Sequence, residues 1–150
     1  MNRFIEFSEI ETGRFVKIAG KTVPDAGFLA VEIVAQPGGG AKLESQVESV
    51  AHDEGSLTML GQTVVMNGAD ADGKLQKEFA DLEAGDMVKI KGEYLGDHRF
   101  KPLRIKKKER LDFFVEELQG VVESVSQEEK TFVVNGVRIH LNEKTILLQD

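Results

Sequence analysis

Residues 132–141 read FVVNGVRIHL, which are two short runs of β-forming residues separated by the dipeptide Asn135-Gly136. Asn-Gly favours the type I′ turn of a β-hairpin, because both central residues of that turn need a positive φ. After the turn, apolar residues alternate with Arg138 and His140, as expected for a strand with one buried face. The segment therefore predicts a β-hairpin.

The hairpin belongs to an internal repeat. Residues 122–136 match residues 47–61, and residues 79–92 match residues 7–20. Most of the matched positions are apolar residues or glycines, and the earlier hairpin turns at Gly61 in place of Gly136. This self-similarity predicts two copies of one all-β unit of about 75 residues.

A change of periodicity interrupts the strand pattern between residues 68 and 84. Leu75, Phe79 and Leu82 follow one another at helical spacing, which predicts a short helix or turn. Residues 43–109 then contain three strands, a helical connection and two strands. This is the order of elements in an OB-fold, a small five-stranded barrel.

These segments resemble a family of bacterial OB-like repeat domains of unknown function that often occur in exported proteins. The matching segments are scaffold positions: 120–125, 135–136, 145–146 and 82–92. The first copy departs from the pattern with Arg14, where the second copy has Asp86. The resemblance implies an OB-type fold and an exported or periplasmic location, but no activity. Residues 1–6, MNRFIE, do not read as a signal peptide.

In this strand order only residues 43–109 form a complete unit. Residues 1–36 hold its last two strands and residues 112–150 its first three, and a free half-barrel would expose unpaired strand edges. We therefore expect an all-β protein with two small OB-type five-stranded barrels. One is continuous (43–109), and one is composite, formed by 1–36 plus 112–150. Exchange of an end segment between chains would pair the same edges, so a monomer and a segment-swapped dimer both remain open.

Composition excludes several classes of function. Apolar residues make up 41% of the 150 residues and charged residues 30%, which is typical of a soluble folded protein. The sequence has no cysteine, so disulfides, thiolate nucleophiles and cysteine-ligated zinc are excluded. No segment reaches the apolar length of a membrane-spanning helix. The net charge of −7 disfavours polyanionic partners except at a local basic site.

One such basic segment exists between residues 99 and 110. The segment contains seven cationic residues and one acid, Glu109. The cationic residues are the candidate ligand-binding residues: Arg99, Lys101, Arg104, Lys106, Lys107, Lys108 and Arg110. They suggest an acidic protein, another polyanion or single-stranded nucleic acid as partner. Protection of an edge strand, or docking on the acidic remainder of the protein, is the favoured alternative.

No arrangement of residues indicates catalysis. His52, His98 and His140 are far apart in sequence, and residues 67–73 contain only half of a calcium-binding loop. We therefore predict no catalytic residue, no metal site and no cofactor. The expected function is that of a non-catalytic β-barrel binding or structural module of unknown ligand in the bacterial envelope. The alternative is binding of single-stranded nucleic acid or another polyanion through residues 99–110.

Overall fold

The computed structural model describes residues 3–66, 73–108 and 115–150, in which the chain is predominantly β. Within these ranges there are thirteen strands, two 3-10 helices (Phe7–Glu9 and His52–Glu54) and one α-helix, α1 (Gly73–Ala80). The strands are β1 (Arg3–Phe4), β2 (Phe15–Val23), β3 (Gly27–Gln36), β4 (Ala41–Gln46), β5 (Ser49–Ala51), β6 (Ser56–Met59), β7 (Gln62–Val65), β8 (Met87–Gly96), β9 (Arg99–Lys108), β10 (Glu116–Ser126), β11 (Thr131–Val134), β12 (Val137–His140) and β13 (Ile146–Gln149).

The strand pairings form two groups. In the central set, residues 41–108, β4 pairs with β8, β8 with β9, β9 with β7, β7 with β6 and β6 with β5, which follows β4 in the chain. In the terminal set, residues 3–36 and 116–149, the pairings run from β2 to β3, β12, β11 and β10 and return to β2. The beginning and end of the chain therefore pair with each other.

Pairing of β10 with β4 joins the two sets. It places Leu118 opposite Leu43 and makes one continuous sheet in the order β3, β2, β10, β4, β8, β9. One face of this sheet carries a row of buried side chains, because period-two alternation puts apolar residues on the same side of every strand. The row consists of Ile33, Ile18, Leu118, Leu43, Ile90 and Ile105. The opposite face is polar.

Matched positions of the sequence repeat make matched hydrogen bonds. The carboxylate of Glu48 accepts the N–H of Gly61 at 3.0 Å, and that of Glu123 accepts the N–H of Gly136 at 2.7 Å. The N–H groups of Gly13 and Gly85 each donate over 2.8 Å, to the carbonyls of Val122 and Val47 respectively. Glycines and glutamates at matched sequence positions thus make the same kinds of hydrogen bond in the central and terminal sets.

Two local predictions are confirmed. Residues 132–141 include the hairpin β11–β12, with Asn135 and Gly136 at φ of 51° and 77°. The helical spacing before residue 84 corresponds to α1, which buries Leu75 and Phe79. Residues 67–72 of the half calcium loop at 67–73, the boundary near residue 111 and Arg110 lie outside the described residues. No helix in the described part of the chain is long and apolar enough to cross a membrane.

Candidate functional site

Most of the predicted basic segment forms β9. Phe100, Pro102 and Ile105 of this strand are buried, whereas Arg99, Arg104 and Lys106 are exposed. The alternation follows from the pleat of a strand with one face against the core. Proximity in sequence therefore does not place the basic side chains on one surface, and the structure divides them into three groups.

The first group consists of lysines paired with acids. Lys108 Nζ lies 2.7 Å from Oε2 of Glu44, and Lys107 Nζ lies 3.3 Å from Oδ2 of Asp86 and 3.9 Å from Oδ2 of Asp81. The hydrogen bond with Asp86 raises the pKa of Lys107, and the charge of Asp86 adds to the effect. Both lysines are thus engaged within the protein itself.

The second group faces cations across the β8–β9 pairing, and the acid opposite Lys89 on β4, Glu44, is paired with Lys108. Arg104 lies directly opposite Lys91 of β8, and Lys106 lies directly opposite Lys89. Residues opposite one another in a sheet project from the same face, so these four cations form a square on the polar face. None of the four forms an ion pair with a described residue.

This square forms one wall of a groove of about 650 Å³ between the β8–β9 surface and α1. The groove contains five cationic side chains, one acid and three apolar residues. We call it the basic groove, and its lining residues are Lys74, Leu75, Glu78, Lys89, Lys91, Leu103, Arg104, Ile105 and Lys106. Leu103 is 52% exposed, so the groove also offers apolar contact area.

The third group lies away from the groove. Arg99 is at the start of β9, opposite Thr63, and Lys101 is half-buried opposite Glu93 of β8. Neither lines the basic groove. Arg110 lies outside the described residues. Of the seven predicted residues, the structure therefore brings only Arg104 and Lys106 together at the groove.

A chain of alternating charges occupies the neighbouring part of the same sheet face. Its four contacts run from Lys17 to Glu117 (3.6 Å), on to Lys42 (3.9 Å) and Glu44 (3.9 Å), and end at Lys108 (2.7 Å). Burial lowers the pKa of Lys42, and the charges of Glu117 and Glu44 partly oppose this. Ion pairs within the protein therefore neutralise the centre of the polar face. No ion pair among the described residues neutralises Lys89, Lys91, Arg104 or Lys106 at the basic groove.

The matching surface of the terminal set has a different charge. The repeat positions of Lys89, Lys91, Arg104 and Lys106 are occupied there by Lys17, Ala19, Glu32 and Val34. These residues line a smaller cavity of about 300 Å³, together with Gln36, Glu117 and Asp150. The fold therefore does not require four cations at these positions.

Three lysines of the basic groove were not predicted from the sequence: Lys89 and Lys91 of β8 and Lys74 of α1. A signal for the first two was present, because residues 87–92 read MVKIKG and the two lysines alternate with apolar residues. What the sequence did not supply was the register that places them opposite Arg104 and Lys106.

A third cavity, of about 370 Å³, lies between the two sets, and its lining residues include Glu116 and Glu48. Glu116 is buried, but its oxygens accept hydrogen bonds from the hydroxyls of Thr22 and Ser45 and from the Thr22 N–H. The carboxylate is therefore held by neutral donors. It has no histidine or lysine partner among the described residues.

The three histidines make separate contacts, none of them with this carboxylate. His52 packs edge-on against Phe79 with ring centroids 5.4 Å apart, and a ring nitrogen of His140 contacts the carbonyl of Ala26. The backbone N–H of His98 donates to the hydroxyl of Tyr94 at 3.1 Å. In residues 3–66, 73–108 and 115–150, no three histidine or acidic side chains are arranged to hold a metal ion.

Comparison with known proteins identifies a family without a known activity. Two segments, residues 44–106 and 119–150, match the family described as domain of unknown function (DUF5666). Together they cover more than half of the chain, which therefore belongs to this family. The matches begin at Glu44 and Gln119, which are equivalent positions of the internal repeat. No curated protein and no solved structure matches the chain.

Proposed function

We propose that this protein is a non-catalytic binding module whose basic groove takes up an anionic ligand. The observation that carries the proposal is the pair of like-charge contacts across β8 and β9, Lys89 with Lys106 and Lys91 with Arg104. Like charges directly opposite each other destabilise a sheet. The acids near the four cations are Glu44, which lies opposite Lys89 but is paired with Lys108 and Lys42, and Glu78 of α1. A ligand that supplies negative charge would balance the remaining cations.

Protection of an edge strand does not account for the whole cluster. Lysines on an edge discourage pairing with another chain, and this would explain those on β9. However, β8 is paired on both sides, with β4 and with β9. Lys89 and Lys91 therefore have no edge to protect, and the ion pairs with acids in the described part of the chain involve Lys107 and Lys108 but neither of these two.

Two features favour a flexible acidic chain over nucleic acid. Proteins that bind single strands stack the bases on aromatic side chains, and none of the described residues that line the basic groove is aromatic. Phe100 is fully buried, and the Tyr94 hydroxyl is engaged by the His98 N–H. An acidic protein segment needs only the cations and the apolar contact of Leu103.

The proposal also covers the architecture that carries the basic groove. We infer that the central set and the terminal set are OB-type five-stranded barrels, which arose by duplication. One is continuous and one is composite, and the chain is bacterial and acts in the cell envelope. Matched hydrogen bonds at repeat positions and the two family matches support the duplication. The neutral donors around Glu116 and the separate contacts of His52, His98 and His140 support a non-catalytic role.

The test is retention on immobilised heparin and on oligo-dT at low ionic strength. We expect the parent protein to bind heparin, and the double variant Lys91→Gln/Lys106→Gln to elute at clearly lower salt. The matched control is Lys21→Gln/Lys144→Gln, which removes two exposed charges elsewhere and should elute with the parent. Flow-through of the parent, or equal elution of the two double variants, would overturn the proposal. Retention on oligo-dT alone would favour nucleic acid.

A further inference from the structure

One strand of the terminal set is bordered on one edge by two different strands. β3 pairs with β12 at Phe28 and Leu29, and further along the same edge it pairs in parallel with β13, from Glu32 opposite Ile146 to Ala35 opposite Gln149. The N–H of Asp150 continues this ladder by donating to the carbonyl of Ala35 at 2.9 Å. The edge of β3 is thus filled by the last strand of the chain.

The matching edge in the central set belongs to β9. β7 pairs with β9 at Arg99 and Phe100, as β12 pairs with β3, and stops there. The next stretch, residues 104–107, corresponds to residues 32–35 of β3. No strand in the described part of the chain pairs with it on this side. The basic groove extends along this stretch as far as α1.

We propose that the edge of β9 at residues 104–107 takes up an extended acidic segment of a partner protein as an added parallel strand, in the way that β13 occupies β3. This rests on the proposed function and specifies its ligand. Addition of a strand to a sheet edge derives affinity from backbone hydrogen bonds, and specificity from alternate side chains. β13 shows that this scaffold accepts a strand at this position.

The backbone of β9 supplies the hydrogen-bonding groups. In a strand, alternate residues direct their N–H and C=O toward the same edge. The carbonyl of Ala35 points to β13, and its repeat position in β9 is Lys107. The groups that face this edge, which no described strand occupies, are therefore those of Ile105 and Lys107.

The side chains of the groove specify what the added strand carries. Residues of the ligand opposite Arg104 and Lys106 would share the polar face with Lys89 and Lys91, so acids are favoured there. The ligand residue between them lies on the side of the buried Ile105, so it is apolar. The recognised pattern is acidic, apolar, acidic. β13 of a second copy lacks it, because residues 146–148 read ILL.

The probe is a capped, dye-labelled peptide that alternates Glu and Val over seven residues, with titration by fluorescence anisotropy at low salt. Its control has the same composition with the glutamates adjacent. We expect the alternating peptide to bind at least tenfold more tightly, and hydrogen exchange at the amides of Ile105 and Lys107 to slow in the complex. Lys91→Gln/Lys106→Gln should weaken binding at least fivefold, and Lys21→Gln/Lys144→Gln should not.

Two peptides that are N-methylated at alternate residues test for backbone pairing directly. Methylation of the N–H groups that face β9 should abolish binding, whereas methylation of the opposite set should be tolerated. Equal binding of the alternating, adjacent and methylated peptides would overturn strand addition, although continued heparin retention would leave the proposed function intact. Loss of both heparin and peptide binding would overturn both. Dimerisation that protects these amides without peptide would assign the edge to a second copy.

Discussion

The ammonium group of Lys108 lies 2.7 Å from the carboxylate of Glu44, although β8 separates their strands. The Glu44 side chain is only 9% exposed, and its other ion pair among the described residues is with Lys42 at 3.9 Å. Lys108 is therefore part of the internal charge balance. A simultaneous replacement of residues 106–108 would change folding as well as binding, so the two roles have to be tested separately.

Replacement of Lys108 should destabilise the protein. Lys108→Gln removes the closest cation of a largely buried carboxylate, so we expect the free energy of unfolding to fall by about 1–2 kcal/mol. Lys107→Gln provides the comparison, because its partners Asp86 and Asp81 are more exposed and should lose less. Urea denaturation of both variants measures the difference. Equal losses would show that Glu44 does not depend on Lys108.

Substitution of the hairpin residue Asn135 should also destabilise the protein. Its side chain is buried and donates to the carbonyl of Gln119 at 3.0 Å, and its backbone has a φ of 51°. Asn135→Ala loses the hydrogen bond and replaces Asn, which tolerates the left-handed region, with Ala, which does so poorly, at a cost of about 2–3 kcal/mol. Asn135→Gly loses only the bond, at about 1 kcal/mol. Thermal unfolding of the two variants separates the terms, and identical midpoints would exclude backbone strain.

The sequence predicted those elements that depend on local patterns. The β11–β12 hairpin follows from Asn135-Gly136, since the turn needs positive φ at both positions. The helix α1 follows from the spacing of Leu75 and Phe79, which pack on the core. In both cases neighbouring residues alone determine the conformation, so no tertiary information was needed.

The parallel pairing of β13 with β3 was not predicted. Its residues 146–149 read ILLQ, which fits any partly buried strand, and its partner is more than a hundred residues away in the chain. Which edge such a strand joins depends on which edge the rest of the fold leaves open. Local sequence carries no information about that.

The basic segment was only partly a guide to the candidate site. Residues adjacent in a strand point to opposite faces, so Lys106 reaches the groove while Lys107 reaches Asp86. Lys89 joins Lys106 only through the register of β8 with β9. The candidate site therefore contains only part of the predicted basic segment, together with lysines from β8 and α1.

A pH-dependent contribution to stability is expected from Glu9. Its carboxylate accepts the N–H of Glu6 at 2.8 Å and lies 3.5 Å from Arg3, and mainly the backbone hydrogen bond lowers its pKa below the ordinary value of 4.5. A lowered folded-state pKa stabilises the protein above the unfolded-state value, and this stability is lost as the pH falls through the folded-state value.

The comparison is therefore between the parent and Glu9→Gln at two pH values. We expect the variant to be the less stable at pH 7, and the gap between the urea midpoints to close as Glu9 becomes protonated well below pH 4.5. Glu11→Gln is the control, because the exposed Glu11 has no side-chain hydrogen bond among the described residues. A gap that stays constant with pH would mean that the charge of Glu9 contributes nothing.

Reversal of one charge in the groove should stabilise the fold while it impairs binding. Lys106→Glu places an acid directly opposite Lys89 and converts a repulsive cross-strand pair into an attractive one, so the free energy of unfolding should rise by about 0.5–1 kcal/mol. Heparin retention should fall at the same time. Lys21→Glu, opposite the uncharged Leu29, makes the same change of net charge and should alter neither property strongly. A Lys106→Glu variant that is less stable than the parent would show that the four cations are not in conflict, and the main argument for a ligand there would fail.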